Sequence, residues 1–196
     1  MKTEPNYKYA TNAAYTELSY YNGSFPQINI IELLFESGDI ILKTYSQAAR
    51  HFKCSHNEFT YHIAQSEYGF TIADFNNGHY IICYNDLKDE KTIRFTLAHE
   101  LGHIRLGHTE DNEAADREAN CFARNLLCPV QLVRGYSLST AEDYVECFGI
   151  SLPMAEAALA HFKSDFYYIT HSNYQIINDK IYSYMTGYGL YELYHV

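Results

Sequence analysis

Two consecutive stretches of helical hydrophobic period, joined by only a few polar residues, constrain the fold of this chain more than any other feature. The first predicts a helix over 92–107 that ends at a glycine. The second predicts a helix over 112–128, which Asp111 or Asn112 caps and Pro129 ends. Each helix has an apolar stripe, so we expect both to pack on a common core.

The rest of the chain predicts further helices and a small sheet. Apolar spacing indicates a helix that follows Pro26 and ends near Gly38, helical stretches from about Tyr45 and over 57–64, and two short helices within 139–163. The turn Asn76-Asn77-Gly78 separates two strand-like runs, the first of which ends at Phe75, and an Asn-Gly in this position is a strong hairpin signal. The predicted fold class is therefore α+β, mainly helical, with a small and mostly antiparallel sheet.

Composition divides the chain into three segments. Residues 1–25 are polar and rich in Tyr and Asn, which predicts a weakly specified N-terminal arm. Residues 26–135 carry the hairpin and the two helices of strongest period, and they form the predicted main domain. Residues 136–196 predict a helical segment followed by a Tyr-rich tail, with strands at Phe166–Thr170 and Ile181–Met185.

Composition also limits the classes of partner. The chain has 196 residues, 47% of them hydrophobic, which suffices for a packed domain. A formal charge of −10 disfavours direct binding of nucleic acid, because phosphate contacts need Lys and Arg. The five cysteines form no Cys-x-x-Cys pair, and neither a secretory signal nor a membrane-spanning stretch is evident. We therefore expect a soluble cytoplasmic protein that does not bind membranes.

The run His99-Glu100-Leu101-Gly102-His103 lies in the middle of the first helix. Residues four apart lie on one side of a helix, so both imidazoles can bind one Zn²⁺ at about 2.0–2.1 Å. Glu100 lies about 100° round the helix and flanks the metal, where it can act as a base on water. Gly102 permits close approach of another backbone. The alternative is two surface histidines and a solvated glutamate.

A catalytic zinc site uses three protein ligands, so a third has to come from elsewhere in the chain. The extended metzincin signature is absent, because Leu106 and Thr109 occupy its glycine and histidine positions. His108 follows the helix end and suggests a supporting role. The second helix offers Glu113, Asp116 and Glu118. Glu113 lies opposite the apolar stripe and so faces water, and Glu118 is slightly better placed than Asp116 because it flanks the stripe. Asp116 remains open.

Two runs of the sequence resemble the ImmA/IrrE family of zinc metallopeptidases, namely Ile93 to His103 and Arg117 to Pro129. The resemblance extends over about residues 78–130. It is weaker over 139–163, where Phe148-Gly149-Ile150-Ser151 is similar to the family's helix-turn-helix-like segment.

The resemblance implies a zincin-like (gluzincin) core in which His99, His103 and Glu118 bind Zn²⁺ and Glu100 is the catalytic base. The family's Glu-Ala-Asn element falls on Glu118-Ala119-Asn120, which gives Asn120, like His108, a supporting position beside the ligands. The chain differs from the family at residue 128, where a cysteine replaces the usual methionine.

Proteins of this family cut a helix-turn-helix repressor and so induce genes of mobile elements, prophages or stress circuits. The resemblance therefore implies an anti-repressor endopeptidase whose partner is a repressor protein, and an acidic protease is complementary in charge to a basic DNA-binding substrate. We expect the strand Tyr80-Ile81-Ile82-Cys83-Tyr84 to run beside the active-site helix and pair with an extended substrate. The alternative is an ordinary core strand.

A competing interpretation is a non-catalytic zinc-containing module that binds a repressor or DNA. Residues 46–55, followed by Phe59 and Ile63, have the spacing of a helix-turn-helix. The tight turn lacks glycine, however, and basic residues are few. The same stretch also fits a helical hairpin that packs on the protease core.

Overall fold

The computed structural model describes residues 4–74, 76–110 and 112–186. Over these residues the fold is α+β and mainly helical, with a sheet of three strands. In chain order the elements are α1 (Tyr7–Tyr20), α2 (Ile30–Glu36), β1 (Ile40–Thr44), α3 (Tyr45–Phe52), α4 (His56–Glu58) continuing into a π-helical turn (Phe59–Ala64), β2 (Gly69–Asp74), β3 (His79–Tyr84), α5 (Glu90–Leu106), α6 (Glu113–Leu127), α7 (Val130–Gly135), α8 (Ala141–Phe148), α9 (Leu152–Tyr168) and α10 (His171–Thr186). Within the described part of the chain, no helix has the length and apolar character needed to cross a membrane.

The predicted helices form close to their predicted positions. Helix α5 ends at Gly107, whose positive φ of 71° suits a residue without a Cβ atom. Helix α6 begins after Asn112, whose side chain accepts hydrogen bonds from the N–H groups of Ala114 and Ala115. Asp111, the other predicted cap, lies outside the described residues. The helix predicted after Pro26 is present as α2, which begins only at Ile30, and the stretches predicted over 45–64 are present as α3, α4 and the π-helical turn. The two helices predicted within 139–163 are α8 and α9, but α9 is not short, because it continues to Tyr168.

The sheet has the strand order β1-β3-β2, with β3 in the centre. Strands β2 and β3 form the predicted antiparallel hairpin, in which Asp74 lies opposite His79. Strand β1 pairs with β3 in parallel, with Ile40 opposite Tyr80. The sheet is therefore mixed, because a parallel partner joined through intervening helices has no turn signal in the sequence. Phe75, predicted in the first hairpin strand, lies outside the described residues.

Residues 7–20 form helix α1, so the weakly specified arm predicted over 1–25 is wrong for the described part of that segment. Ala10, Ala14, Tyr15 and Leu18 recur at helical spacing and are fully buried. The N–H of Val130 donates to the Tyr15 hydroxyl at 2.9 Å. The stripe consists largely of Ala and Tyr, and these residues do not stand out by hydropathy in a polar, Tyr-rich segment.

The C-terminal region is helical where the sequence predicts strands at Phe166–Thr170 and Ile181–Met185. Helix α9 continues to Tyr168, and α10 buries Ile177 and Ile181, which are four residues apart. That spacing lines one face of a helix that packs against α1. Tyrosine favours strands by propensity, and here tertiary packing overrides it. Residues 187–196 of the predicted tail lie outside the described part of the chain.

Most buried apolar side chains of the described residues belong to one core, which includes residues from α1, β3, α5, α6 and α8 to α10. A smaller cluster of Tyr45, Ala49, Phe59 and Cys83 lies beneath α3 and the π-helical turn. The main core draws on all three predicted segments, whose boundaries after residues 25 and 135 stay a prediction.

Helices α5 and α6 approach each other closely at Gly102. A Cβ atom at this position would lie 3.1 Å from the Cα of Ala119 and 3.2 Å from the Cδ1 of Phe122. The prediction that Gly102 permits close backbone approach is therefore confirmed. The contact fixes how each helix is rotated about its own axis. As a result, polar residues of α5 lie opposite polar residues of α6.

Candidate metal centre

His99 and His103 lie one turn apart on α5, and their Nε2 atoms are 3.0 Å from each other. Their side chains are similarly covered, with 19% and 18% of the surface exposed. Burial, together with the neighbouring His99 and His108, lowers the pKa of His103 to about 4. This imidazole is therefore neutral at pH 7 and has a nitrogen lone pair to offer to a cation.

The third group that meets these imidazoles is Asp116 on α6. Its Oδ1 lies 3.6 Å from the Nε2 of His103 and 3.9 Å from the Nε2 of His99. Ligand atoms bound to one tetrahedral Zn²⁺ at about 2.0–2.1 Å are separated by about 3.3 Å. The donor atoms of the three residues lie within 4.8 Å of one another. Two imidazole nitrogens and one carboxylate oxygen therefore fit a zinc ion in both chemistry and spacing.

Glu118, the third ligand that the family resemblance implies, lies on another side of α6. Its Oε2 accepts from the Nε2 of His108 at 2.9 Å, and its Oε1 accepts from the N–H of Asn6 at 2.6 Å. Residues two apart on a helix point about 200° from each other, so Asp116 and Glu118 do not face the same neighbour. The structure thus brings Asp116, the alternative that the sequence left open, to the two histidines.

The sequence contains a signal that Asp116 faces the histidines, but this signal can be interpreted only when the contact between α5 and α6 is known. Ala119 is the small residue that lies against Gly102. Asp116 lies three residues before Ala119 and Asn120 lies one residue after it. Because Ala119 faces α5, both of these positions face α5 as well. The apolar stripe alone does not distinguish them from Glu118.

The two residues predicted to support the ligands each contact one of the histidines. The Oδ1 of Asn120 lies 3.0 Å from the Nδ1 of His99. The Nδ1 of His108 lies 3.0 Å from the Nδ1 of His103, and the N–H of His108 donates to the carbonyl of His103 at 3.0 Å. Both contacts are made at Nδ1, which leaves the Nε2 atoms directed at each other and at Asp116.

Glu100 lies on the side of α5 that faces the sheet. The residue is 8% exposed, and its Oε2 accepts a hydrogen bond from the Oγ1 of Thr71 on β2 at 2.8 Å. The sequence does not single out Thr71, because a threonine within a strand carries no signal for a partner on a distant helix. A hydroxyl donor orients the carboxylate and stabilises its negative charge.

The predicted substrate strand requires a correction, because Tyr80–Tyr84 belong to the central strand β3. Their backbone pairs with β1 on one side and with β2 on the other. An added peptide strand needs an exposed edge, and β3 has none over these residues. The strand is instead a core strand, with Ile82 and Cys83 buried. The edge nearest Glu100 belongs to β2, which carries Thr71.

A family model described as Peptidase_M78, IrrE N-terminal-like domain, matches residues 62–160 of the chain. The match includes β2, β3, α5 and α6, and thus every residue of the candidate centre with the exception of the Asn6 backbone group that contacts Glu118. No curated protein and no solved structure matches the chain.

Proposed function

The chain belongs to the Peptidase_M78 family, and on that premise we propose that it is a zinc-dependent endopeptidase that cleaves a helix-turn-helix repressor. The observation that carries the proposal is the convergence of His99, His103 and Asp116 beside a buried glutamate, Glu100. Two imidazoles and a carboxylate are a ligand set typical of catalytic zinc, and a neighbouring carboxylate that does not bind the metal is typical of the general base.

We assign the zinc ligands as the Nε2 atoms of His99 and His103 and a carboxylate oxygen of Asp116. The family is typically metal-dependent. When bound, zinc supplies Lewis-acid chemistry, because it polarises the scissile carbonyl and lowers the pKa of water. Asn120 and His108 accept hydrogen bonds from the Nδ1–H groups of the two histidines and so direct each Nε2 to the cation.

Proton transfer is assigned to Glu100. Its carboxylate takes a proton from the attacking water and delivers it to the departing amine. The hydrogen bond from Thr71 fixes the Oε2 atom, so the carboxylate is held in one orientation between α5 and β2. Because Glu100 directly follows a ligand in the chain, it stands close to the reacting atoms without binding the metal.

We further propose that the substrate binds in an extended form along β2. Over the described residues β2 pairs with β3 on one side only, so its other side offers backbone groups to a peptide. Thr71 connects this strand to Glu100 at 2.8 Å. A peptide that adds to β2 is therefore aligned beside the proposed base.

The proposed substrate is a basic DNA-binding repressor, as the family resemblance implies. The charge of −10 on the chain supports this assignment, because it attracts a basic partner over a long range. With such a substrate, we propose that the protein acts in the cytoplasm. The competing function is a zinc-containing module that binds the repressor or DNA and cuts nothing.

The test compares wild type with Glu100→Gln on a purified helix-turn-helix repressor, taken from a neighbouring reading frame where one is encoded there. We expect the variant to retain zinc by metal analysis and to cleave about 10²–10⁴-fold more slowly, because general-base assistance is lost. A chelator should stop cleavage by wild type. Glu113→Gln, on the exposed side of α6, serves as the matched control and should behave as wild type.

Cleavage that survives Glu100→Gln would contradict the mechanism. Release of the repressor from DNA by wild type without any cleavage products would favour the binding module instead.

A further inference from the structure

We propose that His108 and Glu118 form a hydrogen-bonded relay that fixes the orientation and the tautomer of His103. The inference rests on the proposed function in one respect, since it takes His103 as a zinc ligand. The relay runs from the Nδ1 of His103 to the Nδ1 of His108 over 3.0 Å, and from the Nε2 of His108 to the Oε2 of Glu118 over 2.9 Å. Both partners are positioning residues, because neither is assigned to the metal or the reacting atoms.

The placement of protons follows from the acceptors along the relay. A neutral His103 that binds a cation through Nε2 carries its hydrogen on Nδ1 and donates it. His108 therefore accepts at its own Nδ1, and its hydrogen is on Nε2, where it meets the carboxylate of Glu118. A carboxylate can only accept a hydrogen bond, so the bond between His108 and Glu118 is donated by the histidine. A single arrangement of neutral histidine tautomers then satisfies every donor and acceptor.

The relay is assembled from three parts of the chain and is largely shielded from solvent. The side chains of His108 and Glu118 are 12% and 16% exposed. The left-handed turn at Gly107 brings His108 back beside His103, and the N–H of His108 bonds the carbonyl of His103. The N–H of Asn6 donates to the Oε1 of Glu118 at 2.6 Å. Glu118 is thus held by two donors, which fits a positioning role better than a role as a metal ligand.

Zinc affinity tests the relay directly. A chromophoric chelator is set to compete for Zn²⁺ with wild type, His108→Ala, Glu118→Ala and Glu118→Gln. We expect His108→Ala to bind zinc about 10–100-fold more weakly, as is typical when the hydrogen-bond partner of a ligand is removed. Glu118→Gln retains an oxygen acceptor for His108, so it should bind more tightly than Glu118→Ala. If Glu118 had only a packing role, Glu118→Gln would not be expected to restore zinc affinity through its hydrogen bond.

The tautomers give a second, independent measurement. In the zinc-loaded protein, long-range ¹⁵N–¹H NMR should show His103 protonated at Nδ1 and His108 protonated at Nε2. Glu113→Gln is the matched control, since Glu113 lies on the same helix and pairs with Arg117 instead. Thermal unfolding of the zinc-free proteins identifies the variants that are folded. If His108→Ala does not fold, the zinc affinity of Glu118→Gln and the NMR tautomers test the relay in its place.

Three results would overturn the relay: zinc affinity unchanged in folded His108→Ala, the opposite tautomer at His108, or zinc lost in Glu118→Ala and Glu118→Gln alike while Asp116→Ala binds normally. The last result would make Glu118 a ligand. If wild type binds zinc but cuts no repressor, the proposed function fails, and the affinity and NMR comparisons still decide the relay.

Discussion

The two flanks of helix α5 hold carboxylates in contrasting surroundings. On the flank facing the sheet, Glu100 is 8% exposed and receives a hydrogen bond from a hydroxyl group. On the flank facing α6, the side chain of Asp116 is 50% exposed, and its Oδ1 lies 3.6 and 3.9 Å from two imidazole nitrogens. One flank suits the handling of a proton and the other suits the holding of a cation.

This division follows from a single step along the helix. Consecutive residues point about 100° apart, so His99 faces α6 while Glu100 faces β2. Since α5 lies between the sheet and α6, residues that are adjacent in the chain contact different elements, one the sheet and the other α6. The contrast makes a clear prediction: changes on the α6 flank should remove zinc, and changes on the sheet flank should slow the reaction while zinc stays bound.

The largest expected effect is that of Asp116→Ala on the α6 flank. Removal of one of the three proposed ligands should lower zinc affinity by more than the roughly 10–100-fold expected for a residue that only supports a ligand, and cleavage should fall with it. Metal analysis after dialysis against zinc, together with the chelator competition, measures this loss. The contrast between the flanks fails if Asp116→Ala retains full zinc.

A smaller effect is expected for Thr71→Val on the sheet flank. A hydrogen bond to a charged group contributes about 1.5–3 kcal/mol, so kcat should fall by about tenfold or more if Glu100 loses its orientation. Zinc content should not change, because the hydrogen bond of Thr71 is made to Glu100, which is not assigned as a ligand. Thr71→Ser keeps the hydroxyl donor and should restore most of the rate. Zinc loss in Thr71→Val would show that the two flanks are not separate.

The elements that carry the centre could be predicted because their signals are local. The helical period over 92–107 and 112–128, the caps at Gly107 and Asn112, and the His-Glu-x-x-His spacing all appear within short windows. The choice between Asp116 and Glu118 depends on how α6 is rotated against α5. That rotation is set by the contact of Gly102 with Ala119, which is a tertiary fact.

Other features could not be predicted because they depend on distant parts of the chain. Strand β3 is central only because β1, about forty residues earlier in the sequence, pairs with it in parallel. Helix α1 contributes Tyr15 to the core and the segment before it contributes the Asn6 N–H to Glu118, yet the segment is polar overall, and its buried stripe consists largely of Ala and Tyr, which do not stand out by hydropathy. Thr71 is a partner of Glu100 only because the hairpin packs on α5, and that packing has no local signal in the sequence.

The smallest expected effect concerns Asn120, which supports His99 on the exposed edge of the α6 flank. The side-chain oxygen of Asn120 lies 3.0 Å from the Nδ1 of His99, and the residue is exposed. A neutral hydrogen bond contributes about 0.5–1.5 kcal/mol net, so Asn120→Ala should weaken zinc binding by about two- to tenfold. This is less than the loss expected for His108→Ala, whose relay is better shielded from water.

Asn120→Asp is the matched variant for this prediction, because its carboxylate keeps an acceptor for the Nδ1–H of His99 and should retain zinc affinity close to that of wild type. The rate of cleavage measured at saturating zinc should be unchanged in Asn120→Ala, since the residue belongs to the flank proposed to hold the metal and Glu100 lies on the other. A lowered kcat at full zinc occupancy would contradict the separation of the two flanks. It would instead indicate that the orientation of His99 also controls the chemical step.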